Sequence, residues 1–394
     1  MEIIIVNWNS RQHTLDCLAA VNEQLGEVDG ALVTVVDNGS IDGSAAAVAA
    51  YHPAVKLFAS SENRGFTGGL ATALRGSSAA SVIFLNNDAI PEPGWLQSLV
   101  AAMESAPADV VSVGGRIVDL ERKTIDFIGG MITFDGHAFQ NGFRYPLGSR
   151  HEPAAGEEIL FACGGNMISR RVLLAELGGF DDDYFAYLED VDFGWRTWLS
   201  GYRVLFAPGA SVRHASSATS DRLGNFERGV LFERNALQTA LKNFESLRDA
   251  ASPVLLAYLH RLHYFATTRN RETEELVRSP FEGAAATTRP RSLVSRLRRR
   301  LFGARALARI DDPLTAMQFR AFEWVLQNQE RIVTKREAVQ ARRKRSDAEI
   351  FNRFPLHIVP TYPGDESLMN GPLFKLLAPA LPSVRRKLGD IIRT

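Results

Sequence analysis

Val82-Ile83-Phe84-Leu85-Asn86-Asn87-Asp88 decides how this chain reads. The run opens on a β-branched residue and stays apolar for four positions, as a strand buried on both faces does. It then breaks into two amides and a carboxylate. In an open α/β sheet the carboxyl ends of the strands border the ligand crevice, so such a break delivers polar groups there. Asn and Asp also build ordinary turns. Taken alone, the stretch leaves both readings open.

Upstream the same grammar repeats. Ile3-Ile4-Ile5-Val6 forms a first strand, followed by Asn7-Trp8-Asn9-Ser10 and a helical pattern through Thr14, Leu15, Leu18 and Val21. Ala31 to Val36 is a second buried strand and closes on Asp37-Asn38-Gly39-Ser40. Ser44 is expected to cap the Ala-rich helix that follows. Val55 to Ala59 is a third short strand, and Leu70 to Arg75 is helical. Strands alternating with helices imply an α/β layer with a mainly parallel sheet. The first loop lacks the glycine fingerprint of dinucleotide folds. Asn7-Trp8-Asn9 stands there instead, which argues against a dehydrogenase and against a sugar nucleotidyltransferase. Asp37 either bonds a base or ribose or is a turn residue. The glycine-rich segment Asn63 to Gly69 can bring backbone close to a phosphate or base, with Arg64 supplying charge.

Downstream, a helix runs through Leu96, Leu99, Val100 and Met103, and Val110 to Val113 is another strand. Gly114 to Glu158 shows no regular helix. It reads as a β-rich excursion, either one wall of an acceptor site or a decorated loop. After Leu188 the pattern turns helical, with Val191, Trp195, Trp198 and Leu199 on one face. Glu189 and Asp190 then fall in the first turn, where the helix dipole favours negative charge. Asp192 and Arg196, four apart, are expected to pair on the surface. Tyr202 to Pro208 is a strand, and Ser211-Val212-Arg213-His214 ends another. A lone histidine such as His214 is usually structural.

The 394 residues are 45% hydrophobic and 23% charged, an ordinary globular composition whose length suggests two or three domains. Two cysteines, Cys17 and Cys163, cannot build a disulfide framework, so a reducing compartment is expected. A strand starting at Glu2 leaves no room for a signal peptide, and no run of about 18 apolar residues is uninterrupted. The expected place is cytoplasmic, at most peripheral on the inner face of the membrane. The zero net charge hides an asymmetry. Residues 1–225 hold 15 Lys+Arg against 27 Asp+Glu, and residues 226–394 hold 30 against 18. Phe226 to Phe244 and Pro253 to Phe265 read as helices, and Ser279 to Arg291 as a linker. Between Arg289 and Arg309 arginines interleave with Leu293, Leu297 and Leu301 without an acid. This fits an amphipathic helix on an anionic membrane or a solvated face against the acidic front half. A second basic run is Arg342-Arg343-Lys344-Arg345. No nucleic-acid motif accompanies this charge, and no nucleic-acid partner is expected.

The ordered set Val6-Asn7-Trp8-Asn9, Val35 to Ser44, Glu62-Asn63-Arg64-Gly65-Phe66, Asn86-Asn87-Asp88, Gly178 to Asp181 and Glu189-Asp190-Val191-Asp192 resembles family 2 glycosyltransferases of the GT-A fold, particularly the rhamnosyltransferase-like branch. The resemblance covers about residues 1–225. It implies a GT-A catalytic domain there, with a nucleotide-binding half over about 1–115 and an acceptor-binding half over about 116–225. A mostly helical, basic region follows over 226–394. It implies inverting transfer of a sugar from a nucleoside diphosphate sugar to an acceptor hydroxyl on a glycan or lipid-linked glycan. Asn7, Asn9, Asp37, Asn63, Arg64, Gly65, Asn86 and Asn87 would bind the nucleotide sugar. Asp88 and His214 would hold a divalent cation, Mg or Mn, which neutralises the departing diphosphate. Asp190 would be the general base, with Glu189 beside it. Gly165, Asn166, Glu189 and Trp195 would meet the acceptor. One departure is that Gly68-Gly69 is followed by Leu70-Ala71, where the family often has an asparagine. Asn86 in the first motif position makes deoxythymidine diphosphate rhamnose the first donor choice, with UDP-sugars next. The competing expectation is a non-catalytic sugar-nucleotide or glycan binder on the same fold.

Overall fold

A computed structural model describes residues 1–215, 224–269 and 312–393. The first strands and helices alternate as expected: β1 (Glu2–Asn7), α1 (Arg11–Asn22), β2 (Leu32–Asn38), α2 (Ser44–Tyr51), β3 (Lys56–Ser60), α3 (Gly65–Arg75) and β4 (Ser81–Asn86). Next come β5 (Ala89–Pro91), α4 (Trp95–Ser105), β6 (Val110–Asp119), β7 (Ile125–Phe127), β8 (Gly130–Ile132) and β9 (Ala138–Gln140). They are followed by β10 (Asn166–Arg170), α5 (Arg171–Glu176), α6 (Glu189–Leu199), β11 (Arg203–His214), α7 (Asn225–Asn243) and α8 (Leu247–Arg269).

The central sheet runs β3-β2-β1-β4-β10-β6-β11-β5, with β7 paired to β6. Its first four strands are mutually parallel. β10 then enters antiparallel to both β4 and β6, and the sheet becomes mixed. The buried-strand reading explains the centre. Along β1 and β4, Ile3, Ile5, Ile83 and Leu85 enter one hydrophobic cluster, and Ile4, Val82 and Phe84 enter the other. Side chains alternate across a strand, so a run apolar at every position is buried on both faces. α1 and α4 cover the first face through Leu18, Val21, Leu96 and Leu99. α3 and α5 cover the second through Leu70, Ala73 and Leu174.

Several local expectations are corrected. Ser44 is the first helical residue rather than the cap, because Gly43 takes the capping position at φ 80°. Ser211 to His214 is no separate strand. It continues β11 past an irregularity between Ala207 and Ser211. Asp192 and Arg196 do pair, at 2.8 Å, but as a buried bridge. The surface they would have faced is covered by α7, whose fully buried Lys242 reaches Asp192 at 3.0 Å and Asp181 at 2.5 Å.

The described residues after 225 are mostly helical, as expected, and they share the main hydrophobic cluster with the sheet through Ala236, Leu237, Phe244 and Val339. Helices Pro313–Gln327 and Gln329–Ala341 pack on α7. The run Arg342–Arg345 takes the packed reading at two positions. Arg343 pairs with Asp347 at 3.0 Å, and Arg345 donates to the Tyr202 and Gly201 carbonyls at 2.6 and 2.9 Å. The stretch Arg289–Arg309 lies outside the described residues. Among the described residues, no helix is long and apolar enough to cross a membrane.

Candidate functional site

β1, β2 and β4 all end at one edge of the sheet, where a cavity of about 540 Å³ opens. Asn86, Asn87 and Asp88 follow β4 into it, as the sequence suggested. Asn63 and Gly65 border it from the start of α3, and Gly165, Glu189, Asp190 and His214 close it. Three chain-distant side chains, Asp88, Asp190 and His214, therefore share one space.

The arrangement at Asp88 is tight. His214 Nε2 lies 3.0 Å from Asp88 Oδ1 and 3.2 Å from Asn86 Nδ2. Its Nδ1 lies 2.8 Å from Asp126 Oδ2, and Gln140 donates to the other Asp126 oxygen at 3.1 Å. Burial alone would push this imidazole down, but Asp88 and then Asp126 outweigh it and hold it up at about 10. Burial likewise opposes charge on Asp88, and His214 wins, keeping that carboxyl below its ordinary range. Asp126 was not foreseen. It sits in a three-residue strand that carries no sequence signal.

The second acidic group behaves differently. Glu189 is 7% exposed, and its Oε2 finds no hydrogen-bond partner among the described residues. Burial, then repulsion from Asp190, raises its carboxyl to about 8. Burial raises Asp190 as well. Asp190, however, accepts the Gly164 amide at 3.0 Å and its neighbour Val191's amide at 2.8 Å. Amide donors favour the ionised form. Of these two adjacent carboxylates, the amide donors favour the ionised form of Asp190 over that of Glu189.

The backbone before α6 is strained. Phe185, Tyr187 and Leu188 have φ of 63°, 70° and 64°. A non-glycine residue in that region costs about 1–2 kcal/mol. Asn235 of α7 holds the segment, its amide nitrogen donating to the carbonyls of Tyr184, Ala186 and Tyr187 at 3.0, 2.9 and 2.8 Å. Asn235 was also not foreseen, since an asparagine inside a long helix looks like a solvated position. Asn38 is a third addition. It borders the cavity, donates to Asn63 Oδ1 at 2.9 Å and the Gly65 carbonyl at 2.8 Å, and accepts the Arg64 amide at 3.1 Å. The pair Asp37-Asn38 at a strand end was its signal.

Other expected residues sit elsewhere. Asp37 is buried, with Oδ1 accepting from Asn7 at 2.7 Å and Oδ2 accepting the Ser40 amide at 3.1 Å. Asn7 is a fully buried hub that bonds Asp37, Ser40, Thr14 and Asn87. Asn9 accepts the Ile41 amide at 2.7 Å, and Arg64 is exposed at the start of α3; neither borders the cavity. Asn166 is buried behind Gly165, accepting from Trp95 at 2.8 Å and donating to the Ala210 carbonyl at 2.9 Å. Trp195 is corrected from acceptor contact to core. It is 0% exposed and packs edge-on against Phe244 and Phe351, because the apolar face of α6 points to the C-terminal helices.

The curled mixed sheet flanked by helices is that of the GT-A fold. The solved structure of GalNAc-T7 with UDP, GalNAc and Mn²⁺ shares the fold at a TM-score of 0.50 and 13% identity. That match covers 90% of this chain and 58% of that one. Residues 2–178 match the model of glycosyl transferase family 2. Among relatives, the N-acetylglucosaminyl-diphospho-decaprenol L-rhamnosyltransferase of Mycobacterium tuberculosis is 27% identical over 247 residues, which is 56% of this chain and 78% of the relative. The O-antigen biosynthesis protein RfbC of Myxococcus xanthus is 31% identical over 158 residues, covering 37% of this chain and 12% of that protein.

Proposed function

We propose that this protein is an inverting glycosyltransferase that moves a sugar from a nucleoside diphosphate sugar to a hydroxyl of a glycan or lipid-linked glycan. Rhamnose carried on deoxythymidine diphosphate is the first choice of donor, in keeping with the mycobacterial relative's name, and UDP-sugars come next. The observation that carries the reading is the shared cavity. A carboxylate–imidazole pair stands at one end of it, and a carboxylate held by two amide donors stands at another wall.

The pair suits a divalent cation. Ligands about 2.1 Å from an octahedral centre lie about 3 Å apart along an edge, the separation of Asp88 Oδ1 and His214 Nε2. Asp126, bonded at Nδ1, turns Nε2 toward the cavity, as outer partners of metal-binding histidines do. Mg or Mn held by Asp88 and His214, in place of the proton on Nε2, would supply positive charge to the departing diphosphate. Asn38 and Asn63 shape the loop that faces the donor. On the acceptor side, Asp190 takes the proton of the attacking hydroxyl, a role worth about 100- to 10,000-fold. Glu189 keeps its own proton and borders the acceptor. Residues 1–225 are assigned the transferase chemistry and residues 226–394 its support.

The test is nucleoside diphosphate release from a panel of dTDP- and UDP-sugars with Mn²⁺, for native chain and Asp190→Ala. Faster release by the native chain is expected. Equal release by both would remove Asp190 as the base. Binding of sugar nucleotides without any turnover would leave a non-catalytic binder.

A further inference from the structure

We infer that the region after residue 225 completes an apolar acceptor subsite, with Phe232 and Ile392 as its specificity-determining residues. The inference rests on the transferase reading and adds what the acceptor must present. Beyond the polar groups already described, the cavity is bordered by Phe139, Phe143, Tyr187, Phe232 and Ile392. All five line the cavity and are only partly buried.

Two independent devices hold this wall in place. Tyr187 stacks on Phe232 at 4.5 Å between ring centroids and 24° between planes. Tyr187 lies three residues before Asp190, so the wall borders the base. On the other flank, Ile392 forms a parallel bridge with Phe143, and the Arg393 amide donates to the Phe143 carbonyl at 2.9 Å. Tyr145 donates its hydroxyl to the Gly389 carbonyl, fastening the same crossing. Phe232 and Ile392 both lie outside the segment that matches the family model.

A sugar needs polar partners for its hydroxyls, and apart from the Tyr187 hydroxyl the residues of this wall offer rings and an alkyl chain. Apolar surface left in water is a cost that a hydrocarbon occupant removes, in proportion to the area covered. The occupant that fits is the hydrocarbon portion of an amphiphilic acceptor, laid beside the hydroxyl that Asp190 deprotonates.

Binding of n-alkyl β-D-glucosides from methyl to octyl, below micelle-forming concentration, tests this on the full chain with Mn²⁺ and UDP. The expected affinity rises by roughly fourfold per covered methylene. Phe232→Asn and Ile392→Asn should flatten that dependence below about twofold per methylene, and Phe232→Leu should keep most of it. UDP affinity, read in the same samples, reports that each variant is folded. A flat dependence in the native chain, or a slope unchanged in both Asn variants, overturns the subsite. If neither UDP nor deoxythymidine diphosphate binds the native chain, the donor reading falls instead.

Discussion

Replacing Asp190 by asparagine separates its chemistry from its structural duty. The carboxylate accepts two amides, from Gly164 at 3.0 Å and Val191 at 2.8 Å. Asparagine keeps one acceptor oxygen, so at most one of these bonds is lost, at about 1 kcal/mol. Removing the charge also relieves the repulsion that helps raise Glu189, which offsets part of that loss. The fold should therefore barely notice the change. The reaction should notice it strongly, because an amide cannot take the acceptor's proton. The expected fall in kcat is about 100- to 10,000-fold, or about 2.7 to 5.4 kcal/mol at 1.36 kcal/mol per decade. The assay is nucleoside diphosphate release at saturating donor and acceptor, with thermal unfolding run on the same samples. A kcat within about fivefold of native, at unchanged unfolding temperature, would refute the assignment.

Asp126→Asn should weaken Mn²⁺ binding about 10- to 100-fold, read by titration of free Mn²⁺; unchanged affinity would show that Asp126 does not orient His214. Gly65→Ala forces a β-carbon to within 2.3 Å of the Phe185 carbonyl oxygen at a φ of 75°. It should cost about 1–2 kcal/mol for the backbone alone and lower transfer further by displacing the loop before Asp190; native stability in urea would contradict this. Lys242→Met removes the cation shared by Asp181 and Asp192, which keep Lys335 and Arg196 as partners, and should cost about 1.5–3 kcal/mol in chemical denaturation. Glu189 has a folded value near 8 against an ordinary 4.5, so its neutral form is the better folded one. Native stability should fall as pH rises from about 4.5 to 8, and Glu189→Gln should flatten that fall. Parallel stability profiles for the two proteins would sink the assignment.

The sequence carried the parallel half of the sheet because its strands are apolar at every position and their polar ends are abrupt. The convergence of Asp88, Asp190 and His214 was expected from the family resemblance, each residue standing at or next to the end of an element. Asp126 stayed hidden because a three-residue strand has no period to read. Trp195 was misplaced because the pattern of α6 marks an apolar face without saying what covers it. Asp37 shows the same limit for polar residues: a carboxylate after a strand serves a turn or a ligand equally well, and only its partners decide. The asymmetry of charge pointed to a distinct back half, yet not to Lys242, which carries that basic charge into the core beneath α6.

Asn235 ties the two ends of the protein together in a way that bears on how it can be cut. One amide on α7 restrains a strained tetrapeptide whose relaxation would swing the base out of alignment. A fragment trimmed at about residue 215, after β11, would retain the strained segment and Asp190 yet lose the clamp. Such a fragment should behave as a sluggish nucleotide binder, and libraries that shuffle acceptor modules among relatives must carry this helix along with the loop it restrains.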